Sequence, residues 1–214
     1  MEERISAGQL LRNSGYFIKR IPGMARMLRR LPDTKWQDKH PYPVFFAQQA
    51  ERFSERVLIR HEDTVIRYGE FNTAANRIAH YLSDQGFGYG DTIALLMENR
   101  PEYLLYQLAV TKIGASAALI NNAQKGDTLI HSINLVNCRG AIVGEERFSV
   151  YSEVAEQLCV EVPAFIVPDR HTLADPGSEY SDGINIALAS QSSDSSNPEA
   201  AKQLKGSDPA WYLY

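Results

Sequence analysis

Short apolar, β-prone runs alternate with helix-length segments through the middle of this chain, and this alternation limits its possible folds more than any other feature. Strands that alternate with helices of 10–15 residues are joined by crossovers, which make the strands parallel and cover both faces of the sheet. The sequence therefore predicts an α/β fold with an open, doubly wound, mostly parallel sheet. The predicted strands are Thr92–Met97, Ala115–Ile120, Ala141–Val143 and Ala164–Val167.

The residues before this alternation predict two helices and a hairpin. Val44–Phe53 has the spacing of a short helix, and Val57–Ile59 and Thr64–Ile66 are β-prone runs on either side of a turn. A second helix follows, and its apolar side chains recur on one face. Those side chains are Phe71, Ala75, Ile78 and Leu82.

Changes in composition divide the chain into four parts. Residues 1–41 form a basic amphipathic head, and residues 42–188 form the α/β body. Residues 189–209 are mostly Ser, Asp, Asn, Gln and Lys, which predicts a mobile surface loop. Residues 210–214 then begin a core strand.

The head and the body have opposite charge. Residues 1–40 contain nine Lys and Arg against four Asp and Glu, a net charge of +5, whereas the rest of the chain has a net charge of −9. Apolar side chains within residues 17–31 recur along one helical face. A segment of this kind either lies in a membrane interface rich in anionic lipid or packs its stripe on the body. The stripe consists of Phe17, Ile21, Met24, Leu28 and Leu31.

Charge, cysteine usage and hydropathy exclude several classes of protein. The net charge of −4 gives no basic surplus for binding nucleic acid. Cys138 and Cys159 have no histidine at metal-ligand spacing, so we expect two reduced thiols. No run reaches the 18 apolar residues of a spanning helix. These features predict a cytoplasmic protein that can associate peripherally with the inner membrane face.

None of the familiar catalytic motifs is present, so no catalytic, cofactor-binding or metal-binding residue is predicted. Gly86, Gly88 and Gly90 precede a strand, whereas a dinucleotide fingerprint follows one. The acidic pairs Glu62-Asp63 and Glu145-Glu146 stand beside predicted turns, where solvated charge is the usual explanation. The histidines are scattered without metal-ligand spacing. They are His40, His61, His80, His131 and His171.

One pair of loops has the right position for a ligand. Open parallel sheets bind ligands beyond the carboxyl ends of their strands, where Glu98–Arg100 and Asn121-Asn122 follow two predicted strands. These polar residues either line a crevice or serve to cap a helix and satisfy the loops. Asn99 is predicted to cap the helix that begins with Pro101.

Several ordered motifs resemble those of adenylate-forming ligases. Arg67–Phe71 followed by Asn76–Ala79 resembles the family's "T-Y-x-E-L … N-R-x-A" segment, and Tyr89–Leu95 resembles its "G-D-x-V-A-L" strand. Met97–Glu102 with Ala118–Asn121 reads "M-E-N-R-x-E" and "A-L-I-N", which is similar to the fatty acid transport protein and very-long-chain acyl-CoA synthetase branch.

The resemblance covers residues 42–214 and implies a reaction. Such enzymes join a fatty carboxylate to AMP from ATP, releasing pyrophosphate, and CoA then displaces the AMP. The family's phosphate loop, rich in Ser, Thr and Gly, begins directly after a strand that resembles Trp211–Tyr214. The loop, the Mg²⁺-binding acid and the later lysine have no counterpart here, so no family catalytic residue is carried over. The resemblance implies ATP, Mg²⁺ and CoA only for the full-length family.

The aromatic residues 211–214 look like a core strand that is cut short, so we expect a truncated ligase that is inactive as an isolated chain. A second hypothesis is a non-catalytic binding or regulatory module that acts through partners. The glycines before the predicted strand argue against a third, an unrelated nucleotide binder. An exposed sheet edge also predicts self-association.

Overall fold

The computed structural model describes residues 41–62, 64–168, 184–185 and 194–214 of this chain. The predicted amphipathic segment 17–31 lies outside the described residues. The helices are α1 (Tyr42–Arg52), α2 (Tyr68–Asp84), α3 (Pro101–Lys112), α4 (Gly126–Leu135) and α5 (Phe148–Ala155), with 3-10 helices at Glu145–Arg147 and Glu199–Gln203. None of these described helices is long and apolar enough to cross a membrane.

The strands form a two-stranded hairpin and a larger sheet. They are β1 (Val57–His61), β2 (Thr64–Arg67), β3 (Thr92–Leu96), β4 (Ser116–Leu119), β5 (Gly140–Gly144), β6 (Ala164–Val167), β7 (Ile184–Asn185) and β8 (Trp211–Leu213). Strands β1 and β2 pair antiparallel. The other six form a sheet in the order β7-β6-β5-β3-β4-β8, and every neighbouring pair in it is parallel. The predicted hairpin and parallel sheet are confirmed.

Apolar side chains pack on both faces of the sheet. Ile93 and Leu95 of β3 point into one core with α2 and α3, whereas Ala94 and Leu96 point into a second core with α4 and α5. Every residue of β3 is buried, as expected for a central parallel strand whose two faces are covered by helices. This arrangement confirms the predicted doubly wound fold.

The helix faces follow the predicted periodicity. Helix α2 buries all four side chains of the predicted stripe, each less than 5% exposed. The predicted Asn99 cap is wrong: Arg100 occupies the N-cap position, with extended backbone and no side-chain capping bond. Pro101 still begins α3, because its missing N–H costs nothing in the first helical turn.

The structure describes residues 194–209 of the predicted polar loop. It contains the 3-10 helix Glu199–Gln203, and the apolar side chains of Ala201 and Leu204 are buried. At its end Ser116 donates from Oγ to the Pro209 carbonyl over 2.9 Å. These anchors could not be predicted from the polar composition of the segment, because their partners lie on elements distant in sequence.

Candidate functional site

The strand order reverses at β3, and this switch point is where open parallel sheets form a ligand crevice. The chain runs from β3 to β4 on one side and then crosses to β5 on the other side. Glu98–Arg100 follows β3 directly and therefore lies at the switch point. Asn121 and Asn122 follow β4, so they lie at the same edge but on the side of β3 away from β5.

Arg100 joins the ends of three strands at this edge. Its side chain is 4% exposed, and its guanidinium donates to the carbonyls of Pro168 over 2.6 Å and Val167 over 3.1 Å, just where β6 ends. Its Nη2 also lies 3.5 Å from Oε2 of Glu146, which follows β5. The planar guanidinium suits several acceptors held at fixed positions, so Arg100 fixes the carboxyl ends of β3, β5 and β6 relative to one another.

Glu146 fills the gap between β3 and β5. Its Oε1 accepts a hydrogen bond from the Glu98 amide over 2.8 Å. A side chain at Gly144 would collide with the Glu146 carboxylate, so the glycine leaves room for the carboxylate to fold back over the sheet edge. Glu145 is solvent-exposed as predicted, but the half-buried Glu146 is not simple solvated charge.

Sequence reasoning missed Glu146 as part of this edge. The available signal is a glycine that ends a buried strand two residues before an acidic side chain. That signal becomes informative only once β5 is known to lie beside β3.

The loop after β4 satisfies its own polar groups. Asn121 accepts a hydrogen bond at Oδ1 from the Ala123 amide over 2.9 Å, which is the loop-satisfaction role. Arg147 donates from Nη2 to the Gln124 carbonyl over 2.8 Å and so ties this loop to the segment after β5. The side chain of Asn122 is exposed. The polar residues of both loops are thus used largely to hold the sheet edge together.

Two further polar side chains of α3 are buried behind Arg100. Glu102 is 5% exposed and Tyr106 is 3% exposed. Burial raises the pKa of Tyr106, and the neighbouring Glu102 carboxylate raises it further. The phenol therefore stays neutral, which makes it a structural group and not a base.

The described residues at this edge do not fit a triphosphate. The carboxylate groups of Glu98 and Glu146 stand at the switch point and would repel phosphate, while the Arg100 guanidinium is engaged by carbonyls and by Glu146. In the described ranges no group of three or more His, Cys, Asp and Glu side chains is arranged to hold a metal ion. The described residues of this edge instead join the strand ends to one another.

The sheet order and the helices on both faces form a fold that is known from solved structures. A solved structure of a Mycobacterium tuberculosis fatty acyl CoA synthetase superposes with a TM-score of 0.67 at 20% identity, covering 84% of this chain and 33% of that one. The chain thus has the amino-terminal part of the adenylate-forming ligase fold.

Sequence comparison then gives the family. The AMP-binding enzyme family matches residues 46–214, and the chain belongs to it. Its relatives include the medium/long-chain fatty acid–CoA ligase FadD6 of Mycobacterium tuberculosis, 27% identical over 79% of this chain and 26% of the relative. Long-chain fatty acid transport protein 1 of Mus musculus is 29% identical over 63% of this chain and 22% of the relative. The chain spans about a quarter of the length of these curated relatives.

Proposed function

We propose that this chain is the amino-terminal portion of a long-chain fatty acid–CoA ligase. In the overall reaction a fatty acid, ATP and CoA give acyl-CoA, AMP and pyrophosphate. The family match over residues 46–214 carries the proposal, and the names of the relatives, a fatty acid–CoA ligase and a fatty acid transport protein, support the substrate class. Fatty acid, CoA, ATP and Mg²⁺ are the substrates and cofactors of the full-length family.

Within that enzyme the described residues serve as a scaffold. Strand β8 is parallel to β4, so its carboxyl end lies at the same edge as Glu98 and Asn121. In the family that the sequence resembles, the phosphate loop follows directly after a strand like β8, which supports a position for that loop at this edge in the full-length enzyme. Because the described residues at this edge do not fit a triphosphate, we propose that the 214 residues alone are inactive.

Pyrophosphate release tests the inactivity of the isolated chain. The purified chain is incubated with ATP, Mg²⁺, CoA and oleate, with FadD6 of Mycobacterium tuberculosis as the positive control. We expect release at the level of a no-enzyme blank. Oleate-dependent release above that blank would reveal a phosphate site in this chain and overturn the scaffold role.

A chimera tests the ligase function itself. In FadD6 of Mycobacterium tuberculosis, the matching segment is replaced by residues 46–214 of this chain. Oleate-dependent pyrophosphate release by this chimera is then measured. A scaffold of the same function supports turnover, so we expect activity well above that of the relative with this segment deleted. A chimera that melts cooperatively like the parent but releases no pyrophosphate would contradict the proposal.

A non-catalytic binding or regulatory module is the second candidate, and the exposed edge of β8 favours it. Trp211, Tyr212 and Leu213 are 40%, 37% and 75% exposed. A strand edge of this kind can pair with a strand of another chain. The chimera separates the two candidates, because a module that has lost the ligase scaffold cannot restore turnover.

We also propose that the basic segment 17–31 brings the protein to the cytoplasmic face of a membrane. The net charge of +5 over residues 1–40, against −9 elsewhere, supports attraction to anionic lipid by the head alone. Flotation with phosphatidylserine vesicles is expected to recover the chain at low salt, and phosphatidylcholine vesicles are expected to recover little.

Variants identify the segment responsible for this flotation. The triple variant Arg26→Gln, Arg29→Gln, Arg30→Gln is expected to lose flotation. The control triple variant Lys125→Gln, Lys202→Gln, Lys205→Gln removes the same charge from the body and is expected to retain it. Equal loss in both variants would show that total charge, and not residues 17–31, determines binding.

A further inference from the structure

Helix α2 carries a polar stripe that the fold does not bury against the sheet. Asn72, Asn76 and His80 are spaced four residues apart, so they lie along one face of the helix. All three contact either residues 194–197 or Lys112 of α3, which itself contacts Asn197. We call residues 194–210, which lead into β8, the strap.

Two residues of this stripe hold the backbone of the strap. Asn76 is 2% exposed and donates from Nδ2 to the Ser195 carbonyl over 2.7 Å. His80 Nε2 lies 3.0 Å from the Ser196 carbonyl and 3.5 Å from Oδ2 of Asp194. A carbonyl oxygen can only accept, so Nε2 is the protonated nitrogen in this bond.

Lys112 makes the third contact from the end of α3. Its side chain is completely buried, and its Nζ donates to Oδ1 of Asn72 and to Oδ1 of Asn197, each over 3.0 Å. Burial lowers the pKa of Lys112 to about 8. A buried ammonium group is costly without acceptors, and one of these two acceptors comes from the strap, so the strap stabilises Lys112 in turn.

Further anchors hold the strap between these contacts and β8. Ala201 and Leu204 are 5% and 8% exposed. The Pro209 carbonyl accepts from Ser116 Oγ, and the Ala210 carbonyl accepts from the Ala117 amide over 3.0 Å. Strand β8 then follows directly and pairs with β4. Displacement of residues 194–197 therefore acts on the start of β8.

We propose that Asn76, His80 and Lys112 are positioning residues that latch residues 194–197 and thereby fix β8 against β4. Within this latch, Asn197 is the strap residue that accepts a hydrogen bond from the Lys112 ammonium group. What the position of β8 contributes to a ligase reaction rests on the proposed function, because the family's phosphate loop follows such a strand. The latch itself does not depend on that function.

Amide hydrogen exchange of the 214-residue chain tests the latch. Asn197 is solvent-exposed, so its replacement leaves the core intact. Asn197→Ala is expected to raise exchange about tenfold in peptides covering residues 194–204 and 211–214, the size expected for losing a hydrogen bond to a charged group. Helix α4 is expected to keep its wild-type exchange. The control Lys202→Ala removes an exposed strap cation that pairs with Glu199 over 2.6 Å and is expected to change neither region.

Conservative variants separate a latch from simple packing. Asn197→Asp places a carboxylate beside the buried ammonium group and is expected to restore at least wild-type protection. Asn197→Leu has similar size without an acceptor and is expected to behave like Asn197→Ala. In a Lys112→Met background, Asn197→Asp is expected to give no rescue, because the ammonium group is gone.

Three results would overturn the latch. Faster exchange in the strap with β8 unchanged would show that the strap does not position the strand. Equal exchange in Asn197→Asp and Asn197→Ala would show that acceptance from Lys112 is not the contact that matters. An equal increase in α4 would show general destabilisation. None of these measurements uses ATP or a fatty acid, so failure of the ligase proposal would leave the result intact.

Discussion

Two buried cations illustrate how this chain uses polar residues at the scale of single side chains. Arg100 binds backbone carbonyls and faces Glu146, whereas Lys112 donates to two side-chain amide oxygens. A carboxylate partner compensates a buried charge far better than an amide does. The burial of Lys112 therefore makes the free energy of unfolding depend on pH.

The pKa of Lys112 in the folded chain, about 8, lies below its ordinary value of 10.5. Between these values the unfolded chain binds more protons, so this residue's contribution to stability is complete above pH 10.5 and is lost as pH falls through 8. The quantity to compare is the free energy of unfolding of wild type minus that of Lys112→Met. We expect this difference to increase by about 3 kcal/mol from pH 7.5 to pH 10.5.

Urea titrations of both proteins across this range measure that difference. Burial raises the pKa of the Cys138 thiol to about 12, which lowers the stability of both proteins as pH rises above 9, but this effect cancels in the difference. A difference that stays constant with pH would show that Lys112 has the same pKa in the folded and unfolded chains.

Arg100 is expected to contribute strongly to stability. Arg100→Met leaves two strand-end carbonyls and the Glu146 carboxylate without the guanidinium, and we expect a loss of about 3 kcal/mol in the free energy of unfolding. Urea midpoints measure this loss. The control Arg139→Gln breaks an ion pair with Asp91 of 2.7 Å in which the arginine side chain is 57% exposed, and a much smaller change is expected. Similar midpoints for the two variants would contradict the anchoring role.

Residue-level prediction from the sequence succeeded where periodicity determines burial and failed where a side chain reaches a distant element. The buried face of α2 follows from spacing alone. Arg100 and Glu146 were not predicted as a pair, because their proximity depends on β5 crossing to the far side of β3. Asn76 and Lys112 bind a segment 119 and 85 residues further along the chain. No local pattern identifies such partners.

At the scale of elements, the strands and helices of the body follow from their local sequence. Buried parallel strands appear as short apolar runs, and glycine or proline marks the helix ends, so existence and order were predictable. Residues 194–209 of the strap belong to the segment 189–209, which was predicted as a loop because its composition is polar. Its few apolar anchors, Ala201 and Leu204, stand among polar and charged residues and are too few to form a recognisable pattern.

Two glycines of similar backbone conformation allow conformational strain to be separated from packing. Gly114, just past α3, has φ +80, and an added Cβ would lie 3.0 Å from the Tyr89 ring and 3.1 Å from Leu204. Gly90 has φ +85 and open space around it. We expect Gly90→Ala to lower the free energy of unfolding by about 1 kcal/mol, because alanine disfavours the left-handed conformation. We expect Gly114→Ala to lower it by about 1–3 kcal/mol more, because the added Cβ is also crowded. Urea midpoints at equal m-values measure both costs, and equal costs would show that Tyr89 and Leu204 move aside freely.

At the scale of the whole molecule, the sheet has a parallel core whose described outer strands are short. Strand β7 has two residues and β8 has three. The outward side of β8 carries backbone groups and exposed apolar side chains that can pair with another copy of the chain. Self-association through β8 therefore remains a prediction for the chain as a whole.

A lysine on this edge tests self-association. Leu213 is 75% exposed, and Leu213→Lys is expected to shift sedimentation toward the monomer, because charged side chains on edge strands oppose pairing. Leu104→Lys removes a leucine of 47% exposure from α3 and is expected to sediment like wild type. A wild-type chain that stays monomeric at all concentrations would contradict the prediction.

The pairing of β8 with β4 also affects the chain during its synthesis. Ser116 at the start of β4 and Pro209 just before β8 are 93 residues apart in sequence but bonded in space. At about 5–20 residues per second, a ribosome needs on the order of 5–20 s to add the chain between them. During that interval the outer edge of β4 has no native neighbour, although β3, β5 and β6 can already assemble. We therefore expect the nascent chain to present an open sheet edge to other nascent chains and to chaperones until β8 emerges.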